Sequence, residues 1–367
     1  MKLKQITLAV LATVAVGASA AAMADDAGVT IYGFMRAGVV NFNGNANQVW
    51  GYSSAPAHAS TTNVAGRSEL NFKGSENLGN GLSSVWQVSN RFATTGNGYD
   101  DQDGNFNGRG FATNDSFVGL KSDTWGRLVM GTNYGNFEDG KYDNSFVVGP
   151  DQIQGWFGNI EGHNMVRYDL PTFAGINSSI QYATGENAGS VSGTQASQHN
   201  TTLDVNYDNG FWGLSGAYTV ANNQFVGGAN GYGRTAGWAT NSAAMGTLTQ
   251  AHLTGMIQPL PSLQFAFEWE RDRIASDTVN STALYAYYTV GAAQLGLQGG
   301  VQNYSGSNKP SGLSNGKFYD AFVHYSFSKS TTGYVEVMQS KDGYMSLANG
   351  QTSGNRTMTD IGLSKSF

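Results

Sequence analysis

The amino-acid sequence predicts an all-β protein that crosses a membrane as a 16-stranded antiparallel β-barrel, with short periplasmic turns and long extracellular loops. Three observations carry this prediction: the composition, the alternation of apolar and polar side chains, and the alternation of short and long connections. Of the 367 residues, 50 are glycine and 12% are aromatic, whereas only 13% are charged, against a usual share of roughly 25%. Such a chain favours strands and polar loops over helices.

The first 24 residues have the order of a secretory signal peptide. Lys2 and Lys4 form a basic start, an apolar stretch runs from Ile6 to Gly17, and Ala22-Met23-Ala24 is an A-x-A cleavage site. We expect cleavage after Ala24, so that residues 25–367 form one barrel domain; a retained membrane helix is the alternative. The mature chain would carry 18 basic and 26 acidic residues, and this negative balance argues against nucleic acid as a partner.

Apolar and polar side chains alternate with period two in successive segments. Between Leu263 and Glu270, for example, Leu263, Phe265, Phe267 and Trp269 share one face, and glutamine and glutamate side chains lie opposite. Segments of about 9–11 residues with this period are long enough to cross a bilayer at a tilt. The pattern predicts 16 strands, at 29–41, 64–74, 82–92, 113–121, 126–133, 163–170, 175–183, 200–208, 211–220, 247–258, 262–273, 282–289, 293–303, 316–328, 332–340 and 356–367.

Connections between the predicted strands alternate between long and short. Short ones such as Asp123–Gly126, Asp208–Gly210 and Pro259–Pro261 have the residues of tight hairpins. A β-sandwich has no reason to place every long connection at one end, whereas a barrel with short inner turns does. The long connections are predicted at 42–63, 92–112, 134–162, 184–199, 221–246, 274–281, 304–315 and 341–355.

Charged residues at inward positions are the candidate functional residues. Opposite charges across a narrow lumen orient water and dipolar solutes and reject apolar ones. The candidate cations on the strands are Arg36, Arg91, Arg127 and Arg167, and the candidate anions of the longest loop are Glu138, Asp139, Asp143, Asp151 and Glu161. The alternative is that the loop acids are simply solvated and that the strand arginines lie at a rim.

Several short motifs resemble the Gram-negative general porins of the neisserial and burkholderial type. They include Val29-Thr-Ile-Tyr-Gly33, Ser116-Phe-Val-Gly-Leu-Lys121, Val166-Arg-Tyr-Asp169, Tyr325-Ser-Phe-Ser-Lys329 and the terminal Phe367, in the family's order along nearly the whole mature chain. The resemblance implies a homotrimer in the outer membrane, in contact with lipid and lipopolysaccharide, with the third long loop folded into the lumen. It also implies that Phe367 is the assembly signal for the barrel-insertion machinery.

Two departures from the family pattern bear on ion selectivity. Glu69 stands where an inward arginine is usual, and Thr132 stands where the family has another arginine. Together with the net charge and a row of lumen-facing acids, Glu268, Glu270 and Asp272, these changes favour a mild cation preference. Glu69 therefore joins the candidate constriction residues.

The leading hypothesis for function is a passive, water-filled channel for small hydrophilic solutes and ions, without catalytic residues, cofactor or metal. A substrate-specific sugar channel is an alternative, but the inward aromatic residues Tyr32, Phe34, Phe322 and Tyr334 look too scattered along the sequence to form a sugar path. A barrel enzyme, such as a phospholipase or protease, is less favoured. It would need a histidine with a serine or acid partner, and no obvious set surrounds the strand histidines, at positions 252 and 324.

Signal-peptide removal gives a first testable prediction. The protein purified from outer membranes should begin at Asp25, because Ala24 completes the small-residue site that signal peptidase recognises. Intact mass and N-terminal sequencing measure this directly. A mature protein that retains Lys2 and Lys4 would instead support the membrane-helix alternative.

Overall fold

The computed structural model describes residues 28–44, 61–94, 111–112, 114–133, 141–142, 144–146, 162–184, 199–225, 245–274, 276–307, 315–342 and 355–367. The predicted signal peptide, with its cleavage site at Ala24, lies outside these residues. Within them the regular structure is entirely β. This part of the chain contains no helix long and apolar enough to cross a membrane.

The described residues contain seventeen strand segments, which follow one another in sequence order. They are β1 (Val29–Gly44), β2 (Thr61–Ala65), β3 (Arg67–Gly79), β4 (Leu82–Ala93), β5 (Ser116–Ser122), β6 (Gly126–Asn133), β7 (Gly162–Asp169), β8 (Ile176–Thr184), β9 (His199–Asp208), β10 (Trp212–Phe225), β11 (Met245–Leu260), β12 (Leu263–Ile274), β13 (Asp277–Val290), β14 (Ala293–Ser305), β15 (Gly316–Ser328), β16 (Thr331–Asp342) and β17 (Arg356–Ser366).

One antiparallel sheet contains all of these segments and closes on itself. β2 and β3 are two parts of a single barrel strand interrupted at Gly66, because both pair with β1. β1 also pairs with β17 over eleven residues, from Phe34 opposite Ser366 to Gly44 opposite Arg356. The predicted 16-stranded antiparallel barrel is therefore confirmed.

Strand positions agree with the sequence pattern except around residues 274–281. The predicted long loop there is wrong, because β12 ends at Ile274 and β13 begins at Asp277. Arg273 is paired with Thr278 and Asp272 with Val279, so residues that looked like a polar loop extend the hairpin. At the other end of the barrel, β3 and β4 are joined by Asn80 and Gly81, which both have positive φ (53° and 72°). Such a two-residue turn matches the twist of a tight hairpin.

The two faces of the wall have the polarity that the sequence pattern predicts. Outward side chains such as Ile31, Leu297 and Ile361 are 56–64% exposed. Inward side chains such as Gln250 and Ser281 are buried although they are polar. An apolar outer face around a polar interior is the arrangement of a membrane barrel.

Strand length varies around the barrel. β5–β8 have between 7 and 9 residues, whereas β10–β17 have between 11 and 16. A tilted strand needs about 9–11 residues to cross the hydrocarbon core. The described wall is therefore lower on the side of β5–β8.

Two glycines make room for a tyrosine inside the wall. A Cβ on Gly38 would lie 2.8 Å from the Tyr334 hydroxyl and would overlap the Asp360 carboxylate, and a Cβ on Gly362 would overlap the same tyrosine ring. Tyr334 is 4% exposed. The small residues on β1 and β17 thus determine how closely the Tyr334 side chain packs against the closing pair of strands.

Substitution of Gly38 gives a second prediction. Gly38→Val should destabilise the folded barrel, because overpacking a filled interior costs about 1–3 kcal/mol. The measurement is the temperature at which the compact form on a detergent gel converts to the unfolded form. Gly28→Val is the matched control, since a Cβ on Gly28 meets nothing within 4 Å. Equal transition temperatures for the two variants would contradict the packing argument.

Candidate functional site

Five described residues of the third long connection, at positions 141, 142 and 144–146, lie inside the barrel; we refer to them as the Lys141–Phe146 segment. The Lys141 ammonium donates to Asn206 Oδ1 (2.8 Å), and the Tyr142 hydroxyl donates to Asp208 Oδ2 (3.3 Å) on β9. At its other end, the Asn144 N–H donates to the Tyr287 hydroxyl on β13 (3.2 Å). The described part of this loop therefore crosses the lumen, as the family resemblance implies.

Phe146 attaches the segment to the wall; we call it and its four neighbours, Arg36, His324, Tyr334 and Glu336, the Phe146 latch. The Phe146 N–H donates to Glu336 Oε1 (2.6 Å), and its carbonyl accepts from Arg36 Nη1 (2.9 Å). Its ring lies between the Arg36 guanidinium (4.4 Å) and the stacked His324 ring (4.2 Å). Tyr334 meets the ring edge-on at 5.3 Å. Both faces and the backbone of Phe146 are thus held by the wall.

Aromatic residues of β13 and β15 extend this latch into a column of rings. Phe322 stacks on His324 at 4.2 Å, and Tyr287 lies 5.8 Å from Phe322. The sequence-based expectation that Phe322 and Tyr334 are scattered is therefore wrong. The signal that could have found the column is the i, i+2 spacing of Phe322 and His324 on one strand, which places both rings on the same face.

The described lumen segment rises from the short-turn end of the barrel toward the middle of the wall. Asp208, which binds Tyr142, is the last residue of β9, and Tyr287 lies three residues before the end of β13. Arg36 and Glu336, which bind the Phe146 backbone, are the eighth of 16 residues of β1 and the sixth of 12 residues of β16. The segment is therefore inclined to the barrel axis, and Phe146 lies beside the middle of these two strands.

The predicted constriction residues divide into three sets in the structure. Arg36 belongs to the latch. Glu69 and Arg91 lie opposite each other on β3 and β4 and form an ion pair of 2.8 Å. The loop acids Glu138, Asp139, Asp143, Asp151 and Glu161 lie outside the described residues.

Arg127 and Arg167 form the third set and share one carboxylate. Asp169 binds Arg127 Nε at 2.5 Å and Arg167 Nε at 2.6 Å. Sequence analysis missed Asp169 as a site residue, although its spacing of two from Arg167 places both on the same face. Lys121 pairs with Arg127 across the sheet, so this basic group stands beside the short turn between β5 and β6.

Charge is segregated around the lumen. The inward bases whose side chains the structure describes lie on β1–β7: Arg36, Lys73, Arg91, Lys121, Arg127 and Arg167. The wall of β9–β17 carries inward acids that are at most 7% exposed: Asp204, Glu268, Glu270, Asp272, Asp277, Asp320, Glu336 and Asp360. Bases thus predominate on β1–β7, where Glu69 and Asp169 also lie inward, and acids predominate on β9–β17.

Comparison with known proteins identifies the family. A family model described as Gram-negative porin matches residues 7–343. The chain belongs to the Gram-negative porins. Its apolar exterior and its family place this porin in the outer membrane of a Gram-negative bacterium.

Named relatives agree with this membership. The major outer membrane protein P.IB of Neisseria meningitidis serogroup B is 33% identical over 215 residues, which cover 54% of this chain and 55% of the relative. The chain therefore spans about half the length of the curated relatives it matches. An anion-selective porin from Comamonas acidovorans has a similar structure (TM-score 0.66, 18% identity, 93% of this chain and 99% of that chain). A Salmonella typhi OmpF complex with daunomycin is also similar (TM-score 0.62, 14% identity, 92% and 97%).

His252 and His324 each have a carboxylate partner, which the sequence analysis did not foresee; His163 and His199 also lie in strands, β7 and β9. His252 Nε2 lies 2.8 Å from Glu268 Oε1, and His324 Nε2 lies 2.5 Å from Glu336 Oε1. The Tyr285 hydroxyl donates to the second oxygen of Glu268 (2.6 Å). These side chains are at most 6% exposed, so they bind one another within the wall and present no accessible pair to a substrate.

The latch gives a third prediction, which uses the absence of native cysteine. In a Ser145→Cys background, Phe146→Ala should speed maleimide labelling of the introduced thiol. Loss of the ring removes a stacked pair and a cation–π contact, together worth about 1–3 kcal/mol, and frees the segment to leave the wall.

The control for this measurement is Phe173→Ala in the same background. Phe173 is 79% exposed and lies in the short connection between β7 and β8. Labelling that is equally fast with and without the Phe146→Ala substitution would show that the ring does not hold the segment.

Proposed function

We propose that this porin is a water-filled channel through which small hydrophilic solutes and ions diffuse passively across the outer membrane. The observation that carries the proposal is the closed barrel with a polar interior, narrowed by the Lys141–Phe146 segment. Pore selectivity in such a channel follows from the width and from the polar groups that line it. The buried histidine–carboxylate pairs give no support to a barrel enzyme.

The eyelet field in this proposal runs between two walls of the same barrel. The arginines and lysines of β1–β7 supply the positive side. The inward acids of β9–β17 supply a negative side that adds to any contribution of the predicted loop acids. A field of this kind orients dipolar solutes across the path and raises the cost of passage for apolar ones.

A mild cation preference remains our proposal for ion selectivity. The acid row predicted from sequence, Glu268, Glu270 and Asp272, does lie on the lumen side of β12. Glu69 offsets the charge of Arg91 through their ion pair. Charges on the outer rims are screened within about 8 Å at physiological salt, so the lumen groups decide the preference.

We propose that the protein forms a homotrimer. The proposal rests on its family membership and on the short strands of the lower wall, β5–β8. Strands of 7–9 residues, as in β5–β8, leave a mismatch with a hydrocarbon core of about 30 Å. Packing against neighbouring copies would cover this side of the barrel. We therefore place the subunit interface at the outer face of β5–β8.

Lipopolysaccharide is the lipid partner proposed for the long-loop end of the opposite side. Arg271 and Arg273 lie at outward positions near the end of β12 and are exposed. Lys317 and Lys341 are paired across β15 and β16 at the same end. Such cations on an otherwise apolar surface match the phosphates of an anionic lipid headgroup.

Recognition of Phe367 by the barrel-insertion machinery completes the proposal. Phe367 and Gly33 exchange two backbone hydrogen bonds of 3.1 Å, and the Phe367 side chain is 53% exposed. The C-terminal strand therefore ends on an accessible aromatic group at the seam where the barrel closes. In this position Phe367 would be available for binding by the insertion machinery before β1 and β17 pair.

Glu69 provides the fourth prediction. Glu69→Gln removes the partner of Arg91 and leaves its positive charge uncompensated in the lumen. We expect the cation-to-anion permeability ratio to fall by about twofold, because one charge several Å from the path contributes below about 1 kcal/mol in a watery lumen. The measurement is the reversal potential of a planar bilayer in a salt gradient, with current steps in threes for a trimer.

Glu76→Gln is the matched control, since it makes the same chemical change on the outward face of the same strand. An unchanged ratio in Glu69→Gln would contradict the role of the Glu69–Arg91 pair. Folded protein without any ionic current would contradict the channel itself.

A further inference from the structure

Aromatic rings on the open side of the lumen each lie beside a cation. The Lys73 ammonium lies 4.8 Å from the centre of the Tyr32 ring, and the Arg36 guanidinium lies 5.0 Å from that of Phe34. On β5 and β6, Arg127 lies 5.4 Å from the ring of Phe117. We call Tyr32, Phe34, Phe117, Lys73, Arg36 and Arg127 the ring–cation wall.

These pairs form one continuous surface on neighbouring strands. Tyr32 donates a hydrogen bond to Gln87 Oε1 on β4 (3.0 Å), and Gln87 is the cross-strand partner of Phe117 on β5. Lys73 is the cross-strand partner of Gln87 on its other side. A solute on this side of the barrel therefore lies within reach of several rings and cations at once.

The rings of this surface are accessible from the lumen, in contrast to the aromatic column on β13 and β15. Tyr32, Phe34 and Phe117 are partly exposed, and Lys73 is exposed. Phe322, Tyr287 and Tyr334 are at most 4% exposed, because they pack beside the latched segment. The ring–cation wall is thus an aromatic surface that a passing solute can touch.

An apolar patch extends the same surface. Phe117 and Val85 pack against Val129, Met165 and Ala183, which are buried on the lumen side. Apolar side chains inside a porin lumen weaken the passage of strongly hydrated ions and favour solutes with an apolar face. Cations beside the patch make this environment suitable for an apolar group that carries a negative charge.

We propose that the ring–cation wall is a binding track for small anions that carry an aromatic ring, such as aromatic carboxylates. The solute ring would stack on Tyr32 and Phe117 while its carboxylate pairs with Lys73 or Arg127. Aromatic cations are disfavoured, because the ring faces already have positive neighbours. This inference rests on the proposed channel and adds a solute class to it.

The test is block of the chloride current through the full-length porin in planar bilayers. Sodium benzoate should reduce the current saturably, with a half-blocking concentration about threefold to tenfold lower than that of sodium cyclohexanecarboxylate, since stacking and cation–π contacts supply a difference of that size. Cyclohexanecarboxylate has the same charge and a similar size but lacks the aromatic face. Benzylammonium should block more weakly than benzoate.

Variants separate the roles of ring and charge. Tyr32→Leu, Phe117→Leu and Lys73→Gln should each raise the half-blocking concentration of benzoate by about threefold or more. Tyr32→Phe keeps the ring and should behave as the unmodified protein. Tyr288→Leu, on the exposed outer face of β13, is the matched control for loss of a tyrosine.

Three substitutions keep the test usable if one variant fails to fold. Equal block by benzoate and cyclohexanecarboxylate would overturn the proposed track. Unchanged block by benzoate in folded Tyr32→Leu and Lys73→Gln would do the same. Neither result would contradict the proposed channel. Folded protein that conducts cations but no chloride would also overturn the track alone, whereas folded protein that carries no ionic current would overturn the channel and the track together.

Discussion

Hydrogen bonding between β1 and β17 is the interaction on which the rest of the molecule depends. A strand edge left open in a lipid bilayer would leave backbone amides and carbonyls without partners, at several kcal/mol for each group. The eleven paired residues of β1 and β17, and the bonds between Gly33 and Phe367, remove that edge. Once the sheet is closed, its outer face contacts lipid and its inner face contacts water. Apolar and polar side chains must therefore alternate along every strand.

The lumen owes its properties to side chains that closure brings together from distant parts of the chain. Arg36 and Phe146 are 110 residues apart, yet their contact holds the inner loop in place. Glu336 lies a further 190 residues beyond Phe146 and binds the same backbone. The segregation of bases on β1–β7 from acids on β9–β17 likewise exists only in the closed barrel, because strands from opposite halves of the chain then face each other.

Alternation made most of the barrel predictable, since the face of a strand residue depends only on its parity. Residues 277–281 were missed because asparagine, serine and aspartate are typical of loops, and only pairing with β12 makes them a strand. The ion pairs of Glu69 with Arg91 and of Arg127 with Asp169 required the register, because each joins two strands. The contacts of the latch could not be predicted, because no local sequence pattern indicates which wall residues Phe146 contacts.

The inclined course of the described lumen segment also determines which charges share one depth of the channel. Tyr142 contacts the wall beside a short turn, whereas Phe146 is bound at the middle of β1 and β16. These two strands flank the closing strand β17, so Arg36 and Glu336 hold Phe146 from its two sides. Their formal charges are opposite, so a voltage across the membrane exerts opposing forces on the two side chains that hold Phe146.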